Sequence, residues 1–198
     1  MKKNILKSIA ALTFIAVTFT ACNKSELAEP KLALEQETAV IPVGGTQAGG
    51  FTNSATTPSA SGWGSVGYSL FNNAVSSTGN EVVFNQNFNG NITEVTGYNL
   101  GYVDLPSISN VSAVQLTNLT STNWSITTLG SNGTVVGWYN YDPTARTITP
   151  VANRYAVVAN NTNLNTATRV YVVQLTSIVG TGTGPYFTDV DFSTKRLK

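Results

Sequence analysis

No histidine occurs anywhere in the chain, its only cysteine is Cys22 and its only methionine is Met1. These absences remove most of the side chains that enzymes use. Without histidine there is no Ser-His triad, and no imidazole is available to move a proton near neutral pH. Beyond Cys22 there is no thiolate nucleophile, no intramolecular disulfide and no zinc site of the usual nitrogen and sulfur kind. Charge is also scarce, at 11% of residues. The longest apolar run, Ile9 to Phe19, is too short to span a hydrocarbon core about 30 Å thick. The expectation is therefore a protein that is not an enzyme and that holds no metal through its own residues.

The N-terminus is informative. Lys2, Lys3 and Lys7 precede the IAALTFIAVTF run, and Ala21-Cys22 follows it, which is the layout of a secretory signal. It resembles a bacterial lipoprotein signal, in which cleavage occurs before a diacylglycerol-bearing cysteine. Ala21 fits the position before Cys22, whereas Phe19 is a less usual residue three places before it. The expected organisation is a signal over residues 1–21, an acylated N-terminus and flexible tether over 22–38, and a β domain over 39–198. The tether holds Glu26, Glu29, Glu35, Glu37 and Pro30, a solvated composition. Acyl chains on Cys22 would anchor the protein to a membrane with no transmembrane helix. Removing Lys2, Lys3 and Lys7 from the 11 cations leaves eight against ten anions, a net charge of about −2. That balance argues against a nucleic-acid partner.

From Val40 onward Thr, Asn, Ser, Gly, Val and Tyr dominate over Ala, Leu, Glu and Lys, so an all-β fold is expected. Strands are expected at 39–43, 65–71, 81–88, 92–98, 111–116, 123–129, 134–141, 154–159, 169–179 and 186–192. GGTQAGG, NGN, SNG and NNTNLN read as turns. That spacing indicates a single antiparallel two-sheet sandwich or barrel-like domain. In YFTDVDF the alternation puts Tyr186, Thr188, Val190 and Phe192 on one packed face and the two aspartates on a wet one. In RVYVVQLTSIV both alternating sets are apolar, as in a central strand covered on both sides.

Asp189 and Asp191 are the best carboxylate pair, about 6.5–7 Å apart by strand rise and near a spacing that glycosidases use. A solvated outer face explains them equally well. GTGTGP, Gly180 to Pro185, lacks the Gly-Lys-Ser/Thr ending of a phosphate loop and reads as a hairpin loop. The sequons at Asn91 and Asn123 are expected by chance in so Asn- and Thr-rich a chain. The remaining concentration of chemistry is GWYNYDPTARTITP, Gly137 to Pro150. Strand alternation places Tyr139 and Tyr141 on one face beside Gly137, with Arg146 beyond the turn as a bidentate carboxylate partner. Aromatic packing within a sheet, with Arg146 exposed, explains the same residues.

GWYNYDPTARTITPVANRYAVVAN, followed by RVYVVQLTSIV and then YFTDVDF, resembles the C-terminal part of the HmuY family, haem-binding lipoproteins of Bacteroidetes. That family has a W-Y-N-Y segment leading into a P-x-T-H-x-I-x-P turn, a strand, K-Y-x-K-x-x-I-x-S and a final aromatic strand. NITEVTGYNLGYVDL is a weaker counterpart of a W-D-[IL]-[AG]-F strand. The resemblance implies two packed antiparallel sheets, an outer-membrane anchor at the cell surface, haem or a related porphyrin as ligand, and an outer-membrane transporter as partner. It departs from the family where the turn histidine would stand, since this chain has Arg146 there. Haem would have no His or Met axial ligand, which leaves a phenolate from Tyr139, Tyr141 or Tyr155, an unusual neutral ligand, or no protein ligand at all. The alternative on the same fold is a ligand-binding or structural cell-surface module that has lost haem and contacts a glycan or another protein.

Overall fold

The computed structural model describes residues 40–198 apart from Thr134 and Arg146. The signal, the tether, Cys22 and Arg146 lie outside the described residues. Among the described residues twelve strands form two sheets, one of them curled into a half-barrel. The five-stranded sheet runs β1 (Thr46–Ala55), β12 (Tyr186–Arg196), β11 (Val170–Thr181), β10 (Arg154–Ala159) and β6 (Asn99–Asp104), every neighbour antiparallel. The seven-stranded sheet runs β3 (Ala74–Val75), β2 (Val66–Ser69), β4 (Val82–Asn85), β5 (Asn91–Glu94), β7 (Thr128–Ser131), β8 (Gly137–Asp142) and β9 (Thr147–Pro150). A one-turn helix, α1 (Ala60–Trp63), and 3-10 turns at Asn87–Asn89, Val111–Ala113 and Leu116–Ser121 complete the described residues. The fold is the expected all-β sandwich.

Two cores flank the five-stranded sheet. The inner core, between the sheets, gathers Tyr68, Phe84, Trp138, Tyr171, Val190 and Phe192 among others. The outer core, which includes Val111, Leu119, Tyr155, Val157 and Val172, packs against the other face. β11 lies between them. Its Tyr171, Val173 and Leu175 enter the inner core, while Val170 and Val172 enter the outer one. This is the physical meaning of its unbroken apolar run: each buried side chain of that size contributes about 1.5–3 kcal/mol on whichever face it points to. β12 has a single packed face, with Thr188, Val190 and Phe192 buried and Asp189 and Asp191 exposed. Residues 182–185 join these two strands as the hairpin loop that their glycines indicated.

Five expectations are corrected. The strand at 39–43 is replaced, over its described residues, by an irregular segment entering a turn. GGTQAGG, read as a turn, instead opens into β1, which pairs with β12 over ten residues from Thr46 to Ala55. Its glycines serve packing: a Cβ on Gly49 would stand 2.7 Å from the Phe192 ring and 2.7 Å from Asn73 Oδ1. The strand at 111–116 is a pair of 3-10 turns. The Asn110 side chain accepts from Ser112 N at 2.8 Å, Gln115 and Asn118 form a capping box, and Val111, Val114 and Leu119 reach the outer core. Such side-chain to backbone bonds compete with a sheet ladder. Of 123–129 only Thr128 and Leu129 are in a strand, because Asn123 accepts from Ser125 N at 2.9 Å and Oγ at 2.6 Å in an Asx turn. Finally, one pair in the sandwich is parallel, β7 with β8, through Gly130↔Gly137 and Ser131↔Tyr139. Glycine allows the close return, since a Cβ on Gly137 would lie 2.5 Å from Asn132 Cα.

Candidate functional site

β8 carries the aromatic cluster, and the structure divides it. Trp138 is 1% exposed, and its Nε1–H donates to Gly90 O at 2.8 Å. Tyr139 is 4% exposed and donates its hydroxyl to Asn91 Oδ1 at 3.2 Å. Gly130 makes room for that asparagine, because a Cβ there would overlap its carboxamide. Burial pushes the Tyr139 phenol up to about 12, so a phenolate at this position is disfavoured. Tyr141, at 42% exposure, offers its ring to solvent, with the Phe88 ring centroid 6.2 Å away. Beyond it, the Asp142 carboxylate accepts from Ala145 N and Thr144 N at 3.0 and 2.8 Å, which holds it below the usual range.

Tyr155 lies elsewhere. It is fully buried in the outer core and donates its hydroxyl to Ile108 O at 2.7 Å; burial raises its pKa as well. Tyr139 and Tyr155 thus belong to cores on opposite faces of the five-stranded sheet, and the structure does not bring the three tyrosines into a common cavity. The guanidinium that is tied to β8 is that of Arg154. It forms a bidentate pair with Asp104 at 2.7 Å through Nε and Nη2, donates from Nη1 to Gly137 O at 2.6 Å, and lies 4.8 Å over the Tyr102 ring. With these partners it fastens β6, β10 and β8 together.

A second polar group sits at one end of the inner core. Glu81 is 1% exposed, with Arg169 Nη1 4.0 Å from Oε1. Arg169 and Arg196 both approach the Phe71 ring, at 5.7 and 4.8 Å, and Arg169 Nη1 reaches Tyr98 Oη at 2.9 Å. Desolvation raises the Glu81 pKa above 4.5, against the opposing pull of backbone N–H groups, Ser69 and Arg169. The folded state therefore binds this proton more tightly than the unfolded chain does. Stability from this group is fully present below pH 4.5 and falls as pH rises through the folded value. The opposite contribution of Asp142, whose pKa is lowered, is lost only as pH falls below 3.8. Urea unfolding across pH 4 to 8 should show the first decline, and Glu81→Gln should flatten it; an unchanged slope in Glu81→Gln would remove Glu81 as its source.

The described surface offers a different recess. Leu116, Thr117 and Thr120 of the 3-10 turn, Trp124, and Asn163 and Asn165 of the β10–β11 loop line a groove of about 380 Å³. Trp124 packs against the outer core and also lines this groove. The loop wall is fastened by successive Asx turns, with Asn163 N donating to Asn161 Oδ1 at 2.8 Å and Asn165 N to Asn163 Oδ1 at 3.1 Å. Lys198 Nζ donates to Leu164 O at 2.7 Å and Ala167 O at 3.2 Å from behind. Among the described residues no charged side chain lines the groove. An indole face beside carboxamides and hydroxyls suits a neutral ligand with one apolar face and many hydroxyls. In the sequence Trp124 stood out only as the middle of a sequon; the signal that was missed is an Asx turn holding a tryptophan between two outer-core segments. Comparison with known proteins gives no matching family model, curated protein or solved structure.

Proposed function

We propose that this chain is a non-enzymatic cell-envelope module that is anchored through an acylated Cys22 and binds a glycan in the Trp124 groove. The observation that carries the reading is the uncharged, tryptophan-walled groove whose polar lining is entirely Thr and Asn. A sugar ring stacks its C–H face on the indole while its hydroxyls meet the carboxamides. The lipid anchor rests on the signal and on the unpaired Cys22, and palmitate labelling of the expressed protein tests it. Calorimetric titration with a panel of neutral oligosaccharides tests the groove. Trp124→Ala should weaken the best binder at least about tenfold, equivalent to about 1.4 kcal/mol. Undiminished affinity in that variant would move the ligand elsewhere.

A second reading is porphyrin binding for delivery to an outer-membrane transporter, supported by the likeness of Gly137 to Phe192 to the HmuY pattern. Tyr141 favours it, because it is the half-exposed phenol of the three tyrosines and lies against Phe88. A haem titration followed at the Soret band separates the two readings. A saturable change lost in Tyr141→Phe supports porphyrin, and a flat titration supports the glycan.

A further inference from the structure

The loop from β4 to β5 holds three non-glycine residues in the left-handed half of backbone space: Gln86 at φ 64°, Phe88 at φ 59° and Asn89 at φ 50°. Gln86, with ψ −165°, occupies a region that is essentially reserved for glycine. A chain selected only for folding would place glycine there, since Gln86 is exposed and its carboxamide makes no hydrogen bond to another described residue. The loop is nonetheless fixed from several sides. Asn89 is fully buried: it accepts from Asn53 Nδ2 at 2.7 Å and donates to Gly64 O at 3.2 Å. Thr188 Oγ1 donates to Phe88 O at 2.9 Å. The Phe88 ring lies over Gly180, where a Cβ would come within 2.5 Å of it, and 5.4 Å from the Trp63 ring. Strain that is held in place by its surroundings, on an exposed residue with no structural task, marks a side chain kept for what it presents.

What Gln86 presents is a wall of a cleft. Ala60, Ser61, Gly64 and Ser65 form one side and Asn85 and Gln86 the other, around about 410 Å³. Gly64, at φ 62° and ψ −152°, is the matching special position across the cleft. Just before it in the chain, Trp63 carries a buried Nε1–H with no partner among the described residues. We infer that this cleft is a second ligand site, that it takes the hydroxyl-rich end of a neutral saccharide, and that the Gln86 carboxamide is its main recognition group. Among the described residues no charged one lines it, so an ionic ligand would enter without compensation from them. The Gln86 carboxamide and the Ser65 hydroxyl, beside an Asn85 carboxamide whose Nδ2 donates to Thr93 Oγ1 at 3.2 Å and a Ser61 hydroxyl paired with Ser59 Oγ at 3.2 Å, offer donors and acceptors side by side, the pattern that adjacent sugar hydroxyls satisfy in both directions. A carboxylate or phosphate would use only the donors. The inference stands on elements separate from the Trp124 groove and does not depend on it.

The test uses the full chain with Gln86→Gly, Gln86→Ala and Trp124→Ala. Gln86→Gly relaxes the backbone and should raise the Tm by about 2–4 °C; Gln86→Ala keeps the strained backbone and should not. Titration with glucose, galactose, mannose, xylose and N-acetylglucosamine, followed by the side-chain amide NMR signals of Asn85 and Gln86, should give a saturable shift with at least one sugar. Both Gln86 variants should weaken that binding at least about tenfold when followed at Asn85, and Trp124→Ala should leave it unchanged. The inference is overturned if Gln86→Gly fails to raise the Tm, if no sugar shifts either amide, if both variants bind as well as the parent, or if glycinamide or inorganic phosphate binds in preference to every sugar.

Discussion

Trp138→Ala should destabilise the domain by about 3–5 kcal/mol, the usual consequence of emptying a fully buried tryptophan site. Trp138 is 1% exposed in the inner core, where its ring faces Phe84 at 6.3 Å between centroids. Its indole N–H donates to Gly90 O at 2.8 Å, immediately before β5. The residue therefore contributes twice, once by filling volume between the sheets and once by pairing a buried carbonyl. Trp138→Phe divides the two contributions: it keeps most of the apolar contact and leaves Gly90 O unpaired, for a cost of about 1–3 kcal/mol. Urea unfolding at neutral pH measures both, and an unchanged m-value shows that stability rather than compactness has moved. A cost below about 1 kcal/mol for Trp138→Ala would mean that the inner core closes over the gap. In that event GWYNYDPTARTITP would not be the packing element that the structure assigns it to be.

Trp138 and Tyr139 also show how far the sequence could be read. Alternation along a strand puts neighbouring residues on opposite faces, so Trp138 and Tyr139 should have differed in burial. Both are buried in the inner core because β8 returns beside β7 through a glycine-lined irregularity, leaving Gly90 O and Asn91 to take the indole and the phenol. That return is set by contacts distant in sequence, which periodicity does not carry. Where one strand alone determines burial, the reading holds: β11 and β12 show the two-faced and one-faced patterns that their residues spell out. Where a glycine-rich segment is a packing strand, as in β1, or where Asn side chains turn an apolar run into 3-10 turns, as at 111–121, it fails. The all-β sandwich was legible because composition and turn spacing report on every strand at once.

The candidate site was less legible for a related reason. An aromatic cluster in sequence draws attention, yet two of the three tyrosines named from it or beside it, Tyr139 and Tyr155, fill separate cores and donate their hydroxyls to protein acceptors. The groove is instead assembled from residues about 40 positions apart, Leu116 to Trp124 and Thr162 to Asn165, each unremarkable in isolation. Thr and Asn in loops are ordinary turn residues. Only their convergence beside one tryptophan makes them the lining of a groove.

Asn89→Ala should cost about 2–3 kcal/mol, a large effect for a residue in a short loop. Asn89 is fully buried at φ 50°, a conformation that asparagine tolerates better than alanine does. Its carboxamide accepts from Asn53 Nδ2 and donates to Gly64 O, joining β1, the end of α1 and the β4–β5 loop. In the alanine variant Gly64 O loses its donor in a part-buried setting, and an unmatched polar group of this kind costs about 1–3 kcal/mol. Asn53 Nδ2 keeps its bond to Trp63 O at 2.8 Å, so the network is weakened at one end instead of dismantled. Asn89→Gly isolates the backbone part: it loses the same hydrogen bonds but none of the left-handed strain. Allowing for the greater freedom of glycine in the unfolded chain, it should be less destabilising than alanine by about 0.5–1 kcal/mol. Equal losses in the two variants would show that hydrogen bonding alone fixes the loop; a loss below about 1 kcal/mol in both would show that Thr188 and the Phe88 contacts hold it without Asn89. In the predicted order, parent above glycine above alanine, the first step measures what the buried carboxamide adds to the Thr188 and Phe88 contacts that also hold the loop, and the second measures the left-handed strain at residue 89.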